Sequence, residues 1–297
     1  MKPPRFQYCA PRTLDEALEL LGQYGTDAKV VAGGQSLIPL LNMRLAAPKY
    51  LIDINRIAAL DYITTRESYL AIGAIARQRQ VERSALLQQR YPLLVETVQQ
   101  IGHMQIRNRG TVAGSIAHAD PAAELPALLS CLNGEVVVHN TQGERSIKAA
   151  DFFSGYLTTA LEPQDLVTEI RFPWLPPHAG WALMEFARRS GDYALAGAAA
   201  VVTATPNGQC SSAQISYFGL SATPVRGHEV EKLIVGTQLN DKVVQTAAEA
   251  AAQVVSDELH DLHATPQYCR VLAVELTKRL LNVAWKRCSY GKEGVSA

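Results

Sequence analysis

In residues 29–41, KVVAGGQSLIPLL, a glycine pair stands where a short strand hands over to an apolar run: Gly33 and Gly34 follow the β-branched Val30 and Val31. Glycine there costs conformational entropy, so that point of the chain needs bare backbone. A second glycine-bearing stretch, RNRGTVAGSIAHADPAAELPALL, begins at Arg107 and also sits among apolar residues. Consecutive amides in a glycine turn form an anion-binding concavity, and the hydroxyls of Ser36, Thr111 and Ser115 add neutral donors. A diphosphate fits that description without any lysine in the loop. Either turn alone reads as a plain tight connection, because short glycine motifs match by chance; two turns in neighbouring units can face one ligand. No G-x-G-x-x-G with an acidic residue at the expected distance occurs in the chain, which disfavours a nicotinamide-binding Rossmann domain.

Organisation along the chain supports neighbouring units. Thr13 to Glu16 has the S/T-x-x-E form of a capping box, followed by an apolar face that Gly22 and Gly25 can end. Ala28 to Val31 reads as a buried strand, Ser36 to Leu45 as helical, and Tyr50 to Ile54 as another strand. From Asp61 the pattern changes to hairpins (Tyr62 to Thr65 with Tyr69 to Ile72; Glu135 to His139 with Glu144 to Ile147) and a strand over Leu166 to Phe172 that stops at Pro173. Pro173, Pro176 and Pro177 mark a boundary. Beyond it, long strands over Trp181 to Ala187, Ala198 to Thr205 and Ala213 to Leu220 precede helices over Asp241 to Val255 and Pro266 to Arg287.

Bulk chemistry narrows the function classes. The 297 residues, 47% apolar and 19% charged, suffice for two or three cores of domain size. A formal net charge of zero announces neither a nucleic-acid stripe nor an acidic partner. The N-terminal MKPPRFQYCAPRT has no apolar core of signal-peptide length and no later stretch suits a membrane span, so a cytoplasmic protein is expected. The 5 cysteines stand at wide spacings with no C-x-x-C pair, which suggests neither a disulfide framework nor a zinc or iron–sulfur site on this chain.

Three ordered stretches, AGGQSL, QIRNRGTVAGSIAHADPAAELP and RRSGDYALAGAA, carry a family likeness. The chain resembles, essentially end to end, the flavin-binding medium subunit of molybdenum hydroxylases, a family that includes the medium subunits of aerobic carbon monoxide, quinoline and nicotine dehydrogenases and the flavin domain of xanthine dehydrogenase. The resemblance implies an α+β chain: a two-subdomain FAD-binding fold of the PCMH type over residues 1–57 and 58–176, then a C-terminal α/β domain over 177–297 with an antiparallel sheet and helices. It implies FAD on this chain, held by its diphosphate between Val30, Val31, Ala32, Gly33, Gly34, Gln35, Ser36 and Leu37 on one side and Thr111, Gly114 and Ser115 on the other. Ala113 stands where many relatives have glycine, and Ser115 where asparagine or aspartate is frequent. Asp120 and Glu124 are implied acceptors for the cofactor's ribityl or ribose hydroxyls, charged acceptors making such bonds stronger. Ile101 and Leu166 match positions beside the flavin, and Tyr193 one that screens its ring; as residues alone, all three read equally as core or half-buried strand positions.

The resemblance further implies partners: a large molybdenum-cofactor subunit where substrate is hydroxylated, and a small subunit with two two-iron two-sulfur clusters. The complex would be a heterotrimer, doubled into a dimer of heterotrimers, in which this chain is the electron-transfer oxidoreductase component and carries no catalytic acid, base or metal ligand of its own. A self-contained FAD oxidoreductase and a flavin-free scaffold are the rival readings. Arg188 and Arg189 read more simply as an exposed basic pair than as charge beside the flavin, and His260 and His263 with Asp257 as solvated surface rather than a metal cluster. No G-x-S-x-G elbow is present.

Overall fold

The computed structural model describes residues 2–259 and 262–290. Three main sheets follow one another along the chain. In the first, β1 (Gln7–Cys9), β2 (Ala28–Val31) and β3 (Tyr50–Asp53) run parallel in the order β1-β3-β2. The helix Leu14–Tyr24 crosses from β1 to β2 and buries Ala17, Leu18 and Leu21. Its N-cap Thr13 accepts the Glu16 amide as expected, but the Glu16 carboxylate takes the amide of Arg12 instead of Thr13. The second crossover helix spans only Leu37–Asn42, and Arg44 at φ 61° ends it before Leu45.

The second sheet joins β4 (Ile63–Thr65), β5 (Tyr69–Gly73), β6 (Glu135–Asn140) and β7 (Gly143–Lys148). After the two-stranded ribbon β8 (Phe153–Gly155) and β9 (Thr158–Thr159), the strand β10 (Leu166–Pro173) enters its centre, giving the order β4-β5-β10-β6-β7. β10 runs through Pro173, opposite Tyr69, where the sequence had suggested a stop; a proline at a strand end gives up only the ladder donor. Helices packed on this sheet form the largest core, with Leu93, Leu94, Val98, Val112 and Ile116 buried against Leu70, Ile72, Ile170 and Phe172.

The third sheet is antiparallel, β11 (Gly180–Phe186), β12 (Ala196–Ala204), β13 (Cys210–Phe218) and β14 (Val225–Arg226) in sequential order. Its central strand is nearly all small residues, and the long helix Pro266–Tyr290 brings Ala273, Leu280, Leu281 and Ala284 against it. The approach is close enough that a Cβ on Gly180 would lie 1.8 Å from the Ala284 carbonyl oxygen. The helix Glu124–Cys131 lies between this sheet and the second: the Cys131 thiol donates to the Gln214 carbonyl (3.3 Å), and Arg226 to that of Ser130 (3.3 Å). No helix among the described residues is long and apolar enough to cross a membrane.

Candidate cofactor site

The glycine pair leaves β2 at the edge of the first sheet. Gly34 adopts φ +73°, open to glycine at little cost, and a Cβ there would also crowd Ile38. Gly33 serves a different need: a Cβ would stand 2.5 Å from the Arg109 carbonyl oxygen and 2.8 Å from the Gly110 Cα. The two glycine-bearing stretches therefore touch, backbone to backbone. The amides of Gly34, Gln35 and Ser36 find no acceptor among the described residues, while the Gln35 side chain donates to the Gly33 carbonyl (3.2 Å) and braces the turn.

The second stretch is not a turn but the start of the helix Val112–His118. Thr111 is its N-cap, and its hydroxyl accepts the Gly114 amide at 3.0 Å. Gly114 is small because a Cβ would meet that hydroxyl at 2.6 Å. Ala113, where many relatives have glycine, is an ordinary helical residue with no positive φ.

The two stretches are also fastened together by residues outside both motifs. Asn55 donates to the Ala32 carbonyl (2.7 Å) and accepts from Arg77, whose guanidinium donates in turn to the Arg109 carbonyl (2.6 Å). This chain of hydrogen bonds runs from the first stretch to the second through positions separated by 22 and 32 residues. No local pattern announces such a link.

In front of the junction opens a cleft of about 790 Å³. Every residue expected at the site lines it: Val30 to Leu37, Ile101, Thr111, Gly114, Ser115, Asp120, Glu124, Leu166 and Tyr193. Leu166 is at the same time core, 2% exposed and opposite His139 in the sheet. Tyr193 is 67% exposed, on the connection between β11 and β12, where Gly191 at φ +85° lies against the His103 ring. Arg188 and Arg189 are exposed and do not reach the cleft. His260 lies outside the described residues, and among those described no set of three or more His, Cys, Asp or Glu could hold a metal ion.

Electrostatics along the cleft are uneven. Asp120 spends one carboxylate oxygen on the Ala122 amide (2.9 Å). Glu124, at the start of its helix, is pushed up to about 8, first by burial and then by the neighbouring carboxyl of Glu185. Burial favours the neutral form of such a carboxyl, which can donate one hydrogen bond as well as accept. Burial likewise raises Glu185 on β11 to about 7, and its Oε2 is buried without a partner among the described residues. In the same lining burial opposes the charge of Asp165, but hydrogen bonds from Arg145, the Glu162 amide and Asn140 hold its carboxyl below the usual range. That carboxylate closes the loop ahead of β10 through the Glu162 amide, next to the lining residues Leu166 and Val167.

Touching glycine segments, amides without acceptors and a cleft lined by carboxyl and hydroxyl side chains are what a dinucleotide site needs. The family described as the FAD binding domain in molybdopterin dehydrogenase matches residues 4–175. The chain belongs to that family. The carbon monoxide dehydrogenase flavoprotein C-terminal domain matches residues 181–284. Among curated proteins, the chain is 40% identical over 295 residues to the 6-hydroxypseudooxynicotine dehydrogenase complex subunit alpha of Paenarthrobacter nicotinovorans, covering 99% of each. It is 38% identical to the carbon monoxide dehydrogenase medium chain of Hydrogenophaga pseudoflava, covering 97% of this chain and 100% of that one. Among solved structures, carbon monoxide dehydrogenase from Hydrogenophaga pseudoflava superposes with a TM-score of 0.93 at 39% identity over 97% of this chain and 100% of that one. Quinoline 2-oxidoreductase from Pseudomonas putida 86 gives 0.92 at 32% identity over 98% and 100%. The α+β architecture of this FAD-binding family member, a flavin-binding part followed by a domain with an antiparallel sheet, is thus that of the medium subunits.

Proposed function

We propose that this chain is the FAD-carrying electron-transfer subunit of a multi-subunit molybdenum hydroxylase. The observation that carries the reading is the contact of Gly33 with Arg109 and Gly110 at the floor of a cleft, where unpaired amides, the Ser36 and Ser115 hydroxyls and the capped start of the Thr111 helix face one volume. That arrangement suits a diphosphate, and the cleft's volume of about 790 Å³ and its mixed polar and apolar lining suit the rest of the dinucleotide. Bound flavin supplies one- or two-electron chemistry. The chain's residues supply the rest: the glycine segments grip the diphosphate, Asp120 and Glu124 hold hydroxyls, Ile101 and Leu166 give an apolar wall, and Tyr193 covers the mouth.

The family and its relatives, named as medium chains or subunits of dehydrogenases, support partners on which the other centres sit: a large subunit with the molybdenum cofactor and a small one with two-iron two-sulfur clusters. We propose a dimer of such heterotrimers, in the cytoplasm, with this chain divided at residues 57 and 176. The free state of all 5 cysteines supports a reducing compartment. Relatives named for carbon monoxide, caffeine and glyceraldehyde share extensive identity with this chain, which supports substrate choice on another subunit.

Purification from the native source tests the reading. The expected product is yellow, releases FAD on denaturation and contains two further chains with molybdenum and iron. A colourless chain that takes up no FAD overturns it in favour of a scaffold, and a flavinated chain that oxidises substrate without partners overturns it in favour of a self-contained oxidoreductase.

A further inference from the structure

Gln78 opens the helix Gln78–Arg83 at the junction of the two glycine segments, and its amide donates to the Gly110 carbonyl at 2.9 Å. The residue is 4% exposed and lines the cleft. Its Oε1 is buried with no partner, and its side chain makes no hydrogen bond to any described residue. Gln80, two positions on, shows what a structural glutamine does here: its carboxamide accepts the Arg77 amide and donates to Asp61 (3.1 Å). Gly110 leaves the room that Gln78 occupies, since a Cβ there would stand 2.7 Å from Oε1.

A buried carboxamide without a partner destabilises the chain that carries it, and a leucine would fill the same space without that cost. Oε1 is the end turned into the room beside Gly110, so Nε2, which no described residue accepts from, is the end left to the cleft. We propose that Gln78 is a direct ligand of the cofactor's diphosphate, donating from Nε2 where the two glycine segments meet. The assignment rests on the FAD reading above.

Apoprotein of the full chain, with the Gln78→Leu and Gln78→Glu variants, is titrated with FAD and separately with ADP, and the thermal midpoint of each apoprotein is measured. For Gln78→Leu the expected result is an unchanged or raised midpoint, together with dissociation constants for FAD and ADP that both rise about tenfold or more, the loss of one hydrogen bond to a charged group. Gln78→Glu binds more weakly still, because its carboxylate faces the phosphates. Unchanged affinities in Gln78→Leu overturn the proposal and leave a water as the partner. Weakened FAD with unchanged ADP also overturns it, placing the contact elsewhere on the cofactor. A lowered apoprotein midpoint with equal losses in both variants overturns it in favour of a structural role. Wild-type apoprotein that takes up no FAD overturns the underlying reading as well, a result seen before any variant is compared.

Discussion

Gly33 lies so close to Arg109 that a methyl group on Gly33 would stand 2.5 Å from the Arg109 carbonyl oxygen. Backbone cannot yield as a flexible side chain does. Gly33→Ala is expected to cost about 1–3 kcal/mol through overpacking and to part the two glycine segments. Protein purified as this variant loses bound flavin absorbance while keeping its far-ultraviolet circular dichroism; a fully flavinated variant refutes the cradle.

Thr111→Ala removes the hydroxyl that accepts the Gly114 amide. A lost N-cap costs about 1 kcal/mol, and thermal unfolding should show it. Thr111→Ser restores most of both stability and FAD affinity, because the hydroxyl is what the cap uses. If serine behaves as alanine does, the cap is not the reason for threonine here.

Glu124 and Glu185 make the apoprotein less stable as pH rises. Both carboxyls are held above their unfolded value, about 4.3, so the folded chain binds more protons over that interval and stability declines with pH. The decline runs to about 7 for Glu185 and about 8 for Glu124. Apoprotein thermal midpoints measured from pH 5 to pH 8 should flatten in a Glu124→Gln, Glu185→Gln double variant. An unaltered slope contradicts the assigned protonation.

Arg145→Leu leaves the buried carboxylate of Asp165 without its ion-pair partner. Breaking a buried pair costs about 3–5 kcal/mol; with the Arg145 side chain 38% exposed, solvent screening reduces the expected loss to about 1–2 kcal/mol. The sign with pH is opposite to that of Glu124. The Asp165 pairing contributes above the unfolded carboxylate value and is lost as pH falls through the lowered folded value. Urea denaturation of wild type and variant should therefore converge under acid conditions and diverge at neutral pH.

Tyr193→Ala removes an exposed side chain from the cleft mouth. Stability should stay within about 0.5 kcal/mol. Iodide quenching of the bound flavin should become more efficient; unchanged quenching shows that the ring is not what covers the cofactor.

How legible these features are in the sequence depends on the distance over which each is decided. Ala28 to Val31 reads at its observed bounds, because its β-branched residues act locally. The start of the helix Val112–His118 looks like a turn in the sequence: its glycine serves a cap contact, and only three-dimensional context separates that from a glycine needed for positive φ. The expected site residues gather in one cleft because the motifs carrying them are contiguous. Asn55, Arg77, Gln78 and Glu185 escaped because each matters through a neighbour far away in the chain, and a lone polar residue at a strand or helix boundary has no signature.

β10 is the middle strand of the second sheet, flanked by β5 and β6, and it arrives after both in the chain. During synthesis, everything up to residue 165 waits with two open strand edges, the kind of surface that pairs with other chains. Leu166 and Val167 of the cleft lining belong to that late strand, and Tyr193 comes later still. Flavin therefore meets a finished site only after translation has passed Tyr193. A ligand that binds the folded chain alone also stabilises it, so flavin can stabilise this chain only once β10 and the residues after it are in place.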